Sequence, residues 1–278
     1  MLQGYYTTKE KVLGAQGDFI TSPEVSQMFG ECIGIWIVHE WKKMGKVQPL
    51  QIVELGPGNG TLMKDILKTI YKLTPEEMKH LQIHLVETSP NLTKIQQTKL
   101  GRFQQEIKWK IETIKWHSRV SEVPKSFTFF IANEFFDALP IHKFIREEKT
   151  GNLQEVLVGN SKNNELELIR ARERTLANQY VENNERYNQM EAIEISPKSG
   201  VIMQTISERV VEFGGAALIA DYGYDDNQGN LLLGNCQLVG CGLIQVPKKG
   251  VDFFMIKNCN FEPIFYAIDC VLLRREHM

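Results

Sequence analysis

The stretch Gln51–Leu67, QIVELGPGNGTLMKDIL, decides the fold. Ile52 and Val53 run into Glu54 and Leu55. Three glycines, Gly56, Gly58 and Gly60, then alternate with Pro57 and Asn59, and a helical pattern begins at once. A glycine-rich turn between a strand and a helix allows positive φ values and lets backbone approach a ligand with no Cβ in the way. It also exposes helix N-terminal amides at the carboxyl edge of a sheet, where open α/β folds bind ligands.

The spacing narrows the ligand. Gly56-x-Gly58-x-Gly60 departs from GxGxxG and from GxxxxGK[ST], and no lysine follows the last glycine to hold a phosphate, which disfavours a nucleotide phosphate site or a dehydrogenase. Glu54 would oppose a phosphate but suits a cationic group such as an amino-acid ammonium. Glu87 ends the next strand, where such folds place an acid for ribose hydroxyls. An amino acid joined to an adenosine, S-adenosylmethionine, fits both acids. The plainer alternative is a turn that only turns, flanked by two solvated strand-end acids.

Working outward, the alternation continues. Upstream, Ser22-Pro23-Glu24 reads as an N-cap and a first-turn proline. One helix is expected from there to Gly45, with Val25, Met28, Phe29, Cys32, Ile33, Trp36 and Ile37 on its apolar stripe. Downstream, QIHLVET (82–88) is a second strand, Ser89-Pro90 open another helix, and the segment 106–124 suggests one strand and a turn. SFTFFIAN is a third strand ending at Asn133-Glu134, with Asp137 three residues on. Residues 143–190 turn charged and Asn-rich and suggest an inserted hairpin and a polar loop. A helix over 197–213 and a strand over 216–224 follow. Strand–helix–strand alternation predicts an α/β fold with a mostly parallel sheet.

Composition excludes several classes. A formal net charge of −2 gives no general electrostatic reason to bind nucleic acid or an anionic membrane. No apolar run is long enough to span a bilayer. The five cysteines form no CxxC pair and read as free thiols, and the six histidines show no HxH or HxxxH, so no metal site is expected.

Five segments in this order, GDFITSPEVSQMFGE, IVELGPGNGTLMKDIL, HLVETSP, ANEFFDALPIHKF and GGAALIADYGY, resemble the MidA-like family of class I methyltransferases over about residues 4–226. Its nearest branch by resemblance is the mitochondrial one that assists assembly of respiratory complex I. The resemblance implies a Rossmann-like fold that binds S-adenosyl-L-methionine, and symmetric dimethylation of an arginine on a complex I core subunit. Carried over by residue, Glu54, Gly56, Gly58 and Gly60 form the cofactor turn, and Glu87 holds the ribose. Asp18, Thr21, Ser22 and Glu24 belong to a lid over the cofactor, and Glu134 and Asp137 face the acceptor. The division implied is a lid and helix (1–45), a cofactor-binding core (46–142), an insertion (143–195), the core continued (196–226) and a divergent tail (227–278). No presequence precedes the first motif, and after about Asn227 the family pattern is lost apart from VDFF. The expectation is a truncated or alternatively spliced product.

Carboxylates suit an arginine acceptor. They can grip the guanidinium through paired hydrogen bonds and fix its plane. Glu134 is the first candidate and Asp137 the second; His142 is weaker. The same acids could instead satisfy a helix N-terminus. The competing function is a catalytically inactive, cofactor-binding assembly module that holds a partner subunit.

Overall fold

The computed structural model describes residues 21–76, 80–107, 113–182, 185–222 and 253–258. Among the described residues, five α-helices and ten strands run in the order α1 (Ser22–Val25), α2 (Gln27–Lys43), β1 (Gln51–Leu55), α3 (Thr61–Leu73), β2 (Gln82–Val86), α4 (Pro90–Ile107), β3 (Thr113–His117) and β4 (Thr128–Asn133). There follow β5 (His142–Arg146), β6 (Leu153–Asn160), β7 (Leu166–Arg170), β8 (Ala192–Ile195), α5 (Pro197–Phe213), β9 (Gly215–Tyr222) and β10 (Phe253–Asn258).

Six strands form one sheet in the order β10-β9-β4-β1-β2-β3, and every pairing is parallel. The α/β expectation is met. Side chains alternate across this sheet, so each strand feeds two cores. Ile52, Ile83, Leu85, Phe129, Ile131 and Leu218 face one layer with α2, α3 and α4, where Ile37, Trp41, Met63, Ile66 and Ile70 are fully enclosed. Val53, Leu55, Phe130, Ala132, Ala217 and Ile219 face the other, against Ile206 and Val210 of α5. Burial on both faces explains why β1 and β4 read as near-continuous apolar runs.

The first helix departs from expectation. It breaks at Ser26, whose backbone is extended (φ −149°, ψ 126°) and whose hydroxyl caps α2 by accepting from Met28 N–H. Val25, Met28 and Cys32 are exposed, not core. The buried face is Gly30, Ile33, Gly34, Ile37, Val38 and Trp41. Two glycines let α2 lie almost backbone-close on α3: a Cβ at Gly30 would stand 2.7 Å from Asp65 Cβ, and one at Gly34 2.8 Å from Thr69 Cβ. An apolar-stripe reading discounts glycine and therefore rotates the helix wrongly. The stop at Gly45 is as expected, with φ +88° and Lys46 N–H closing on Trp41 O.

The segment between β4 and α5 is more than a hairpin and a loop. It forms a four-stranded antiparallel sheet, β7-β6-β5-β8, over a small core of Phe144, Ala177, Val181 and Ile193. β3 and the one-turn helix Val120–Glu122 match the strand and turn expected there. Of the tail expected over 227–278, only Phe253–Asn258 lies within the described residues, paired in parallel with β9.

Candidate active site

Strand order places the site. β1 is flanked by β2 on one side and β4 on the other, so the connections leaving β1 and β4 turn to opposite faces and open a crevice at their carboxyl ends. The glycine turn lines one lip of it and Asn133–Asp137 the other.

All three glycines of the turn are left-handed: Gly56 (φ +62°), Gly58 (φ +51°) and Gly60 (φ +74°). A side chain would be strained at each. Gly56 also lies under Phe135, whose Cδ2 would be 2.7 Å from an added Cβ. The turn is tied down by Gly56 N–H to Val86 O (3.0 Å) and Gly60 N–H to Pro57 O (2.7 Å). This conformation leaves room for backbone to touch a ligand, and the chain has built it three times over in five residues.

Glu54 is only 2% exposed, and its Oε2 has no hydrogen-bond partner. Burial, with Glu87 nearby, pushes its carboxyl up to about 8. A buried acid with an unsatisfied oxygen is costly unless a donor arrives, and a ligand ammonium is such a donor. Glu87 is raised as well, by burial first, while its Oε1 accepts from Thr88 and Ser89 N–H (2.8 Å each) and its Oε2 from Gln96 Nε2 (3.2 Å). Gln96 was not expected. Fully buried, it donates to both Glu87 and Gly58 O (2.7 Å) and accepts from Trp116 Nε1 (2.9 Å), joining the turn to the ends of β2 and β3.

On the opposite lip, Glu134 is a non-glycine residue in the left-handed region (φ +48°). Such strain clusters at functional sites. Its Oε1 accepts from Ser22 N–H (3.0 Å), Ser22 Oγ (2.7 Å) and Asn133 Nδ2 (3.4 Å). Glu24 reaches the other lip: its Oε1 accepts from Thr61 Oγ1 (2.5 Å) and Asn59 Nδ2 (3.4 Å). The short helix α1 therefore straps the crevice from the β4 end to the glycine turn. Thr21 begins that strap, its carbonyl accepting from Glu24 N–H. Asp18 lies outside the described residues.

Asp137 is held at about 6, raised by burial, then by Asp221 and Glu134. Asp221, at the end of β9, is absent from the sequence-based candidates; its Oδ2 accepts from Phe136 N–H (2.9 Å) and Asp137 N–H (3.2 Å) and so shapes the loop after β4. Its position at a strand end was the available signal. His142 is in the smaller sheet, its Nδ1 2.6 Å from Glu155 Oε1, and does not join the acids. Among the described residues no cluster of histidine, cysteine, aspartate or glutamate is arranged to hold a metal ion, and no helix is long and apolar enough to cross a membrane.

A family model described as S-adenosyl-L-methionine-dependent methyltransferase matches residues 32–235. The mitochondrial protein arginine methyltransferase NDUFAF7 of Bos taurus is 38% identical over 251 residues, covering 84% of this chain and 55% of its own length. Its counterpart in Danio rerio is 40% identical over 246 residues, covering 83% and 57%, and that in Homo sapiens 36% over 249, covering 84% and 55%. The chain thus spans about half the length of the curated relatives it matches. Among solved structures, a Burkholderia thailandensis protein bound to S-adenosyl-homocysteine superimposes with a TM-score of 0.59 at 18% identity, covering 74% of this chain and 51% of that one. That likeness shows the fold.

Proposed function

The chain belongs to the family of S-adenosyl-L-methionine-dependent methyltransferases, and from that premise we propose that it supplies the cofactor-binding part of a mitochondrial protein arginine methyltransferase. The observation that carries this reading is the glycine turn, left-handed at three positions between the buried, partly unsatisfied Glu54 and the strand-end Glu87. In it Glu54 takes the ammonium, the glycine backbone lies along the amino-acid chain, and Glu87 takes the ribose hydroxyls. The strap, Thr21 and Ser22 included, covers the bound cofactor, with Asp18 assigned to the same lid.

When bound, the cofactor supplies an electrophilic methyl group on a cationic sulfur. What the protein adds is placement, because an in-line displacement depends mainly on holding the nucleophile against the methyl carbon. Guanidinium is always charged near neutral pH and its lone pairs are delocalised. Glu134 and Asp137 would fix its plane and draw positive charge toward the nitrogens they hold, leaving another nitrogen aimed at the methyl. Asp137 must be ionised for this, so transfer should fall as pH drops through about 6. The finer reading is symmetric dimethylation of an arginine on a complex I core subunit, so the partner is a protein.

The test has two parts. Calorimetry with S-adenosyl-L-methionine on the purified chain asks whether this length of sequence binds cofactor. Transfer of labelled methyl groups to arginine-containing peptides, by a chain of the relatives' full length, asks for activity. Glu134→Gln should spare cofactor affinity and lower transfer at least about a hundredfold. Parental turnover in that variant would remove Glu134 from the chemistry. Binding without transfer by the full-length parent would support the inactive assembly module instead.

A further inference from the structure

A groove of about 440 Å³ runs between α3 and α4, on the layer that covers the sheet and outside the crevice. Its cations are Lys64 from α3 and Lys94, Lys99 and Arg102 from α4; Ile95 and Phe103 supply apolar surface, and Glu106 is the one acid lining it. Residues 94, 95, 98, 99, 102 and 103 share a face because they repeat at three- and four-residue spacing along a helix. Lys99 and Arg102 are like charges one turn apart, with Glu106 four residues beyond Arg102.

Among the described residues, no carboxylate lies within ion-pair distance of Lys64, Lys94, Lys99 or Arg102. Lys99 is half-buried and donates through its ammonium to a neutral oxygen, Thr61 Oγ1, at 2.6 Å. Thr61 in turn donates to Glu24 of the strap. Lys99 is thus linked through a single hydroxyl to the segment that spans the crevice. Glu24 and Asp65 act on Lys99 from beyond ion-pair distance, yet four cations with no carboxylate that close among the described residues, concave and edged with apolar carbon, match short acidic segments with an intervening apolar side chain.

We propose that this groove docks an acidic segment of a protein partner, its carboxylates pairing with Lys64, Lys94, Lys99 and Arg102 and an apolar side chain covering Ile95. A polynucleotide fits less well: the chain carries a formal net charge of −2, which gives no long-range attraction for a polyanion. An incoming carboxylate would take the Lys99 ammonium from Thr61, so docking and the strap are connected. None of this depends on methyl transfer.

The experiment is fluorescence anisotropy of a fluorescein-labelled octapeptide alternating Glu and Leu, titrated with the whole chain at about 50 mM salt. Saturable binding is expected, weakened at least tenfold by Lys94→Glu with Arg102→Glu. The control is Lys149→Glu with Lys162→Glu, an equal charge change at exposed positions in the β5–β6 and β6–β7 turns, which should leave binding within twofold. Both pairs are exposed, and matched thermal melts establish that each variant folds. Lys94→Ala with Arg102→Ala gives a second, milder reading of the same loss. Equal weakening by both reversals, failure of the parent to saturate, or equal competition by an oligothymidylate of the same charge would overturn the proposal.

Discussion

Glu54 is neutral at pH 7 in the free protein, because a carboxyl raised to about 8 is protonated one unit below that value. An ammonium brought to its unsatisfied oxygen favours the ionised form, so binding must expel the proton. Calorimetry with S-adenosyl-homocysteine at pH 7, in two buffers of different ionisation enthalpy, should therefore detect release of close to one proton. Glu54→Gln should abolish that release; a parent protein that releases none would sink the assignment. Gly58→Val tests the turn itself. A β-branched residue at φ +51° is strained, and its side chain would enter the space left for the ligand. Cofactor binding should be lost while the far-ultraviolet circular dichroism stays near the parent's. Undiminished binding would mean the turn is not the site. At this scale the glycines and strand-end acids were legible because their chemistry is unusual for their place. Gln96 was not. In the sequence it sits among Gln97, Thr98 and Lys99 on a polar helix, and only the fold makes it the buried residue that holds Gly58 and Glu87.

Elements were read well where a strong period met a clear stop. β1, β2 and β4 are short apolar runs ended by an acid or a polar residue, and α4 and α5 open on Ser-Pro, so their boundaries follow from caps and pleat. The rotation of α2 is hidden from an apolar period because its contact face is built around two small residues. That geometry makes a measurable demand. Gly34→Val would put Cβ 2.8 Å from Thr69 Cβ and 3.1 Å from Ile66 O, and α2 would have to lift from α3. Urea denaturation should show a loss of about 1–3 kcal/mol, the usual scale for overpacking a close contact. An unchanged midpoint would mean the two helices tolerate separation. The strap shows why the break at Ser26 escaped detection: Ser22 and Glu24 form bonds 112 and 37 residues away in sequence, and no local pattern records them.

For the molecule as a whole, two buried groups on neighbouring strands give stability opposite pH slopes. His84 on β2 is lowered to about 4, by burial first and then by His117, which lies 2.8 Å away through Nδ1···Nε2. Its folded value lies below the unfolded 6.5, so the neutral ring's contribution is complete above about 6.5 and drains away as pH falls toward 4. Glu54 lies above its unfolded 4.5, so its contribution is complete below that value and drains away as pH rises to about 8. Above about 6.5 His84 no longer changes and Glu54 still does. Unfolding free energies of the ligand-free chain, from urea titrations, should therefore decline between pH 6.5 and 8, by about 1.4 kcal/mol per unit at most for one proton. Glu54→Gln should flatten that limb and, because Glu54 opposes His84 between about 4.5 and 6.5, leave the acid limb steeper; a decline above pH 6.5 that persists in the variant would refute the assignment. The sequence made the parallel sheet legible through alternation of strands and helices, whereas the second sheet was not, because β7 is exposed along its whole length and carries no buried face to create a pattern.

That second sheet leaves and rejoins the larger one at a single place. β5 and β8, its first and last strands, are neighbours, and Ser196 Oγ donates to Pro140 O (2.9 Å) across 56 residues of sequence. A unit hung from one pinched stem, over a core of four buried side chains, can open while the larger sheet stays closed. Native-state hydrogen exchange should find amides of β5, β6 and β8 opening at lower free energy than those of β1 and β4, with a matching sub-global denaturant slope. One common free energy for both sets would mean a single cooperative unit. On that footing Glu134 and Asp137 stand at a hinge, with the larger sheet as a floor behind them, and under the proposed function the admission of a protein substrate would be set by how often the smaller sheet opens.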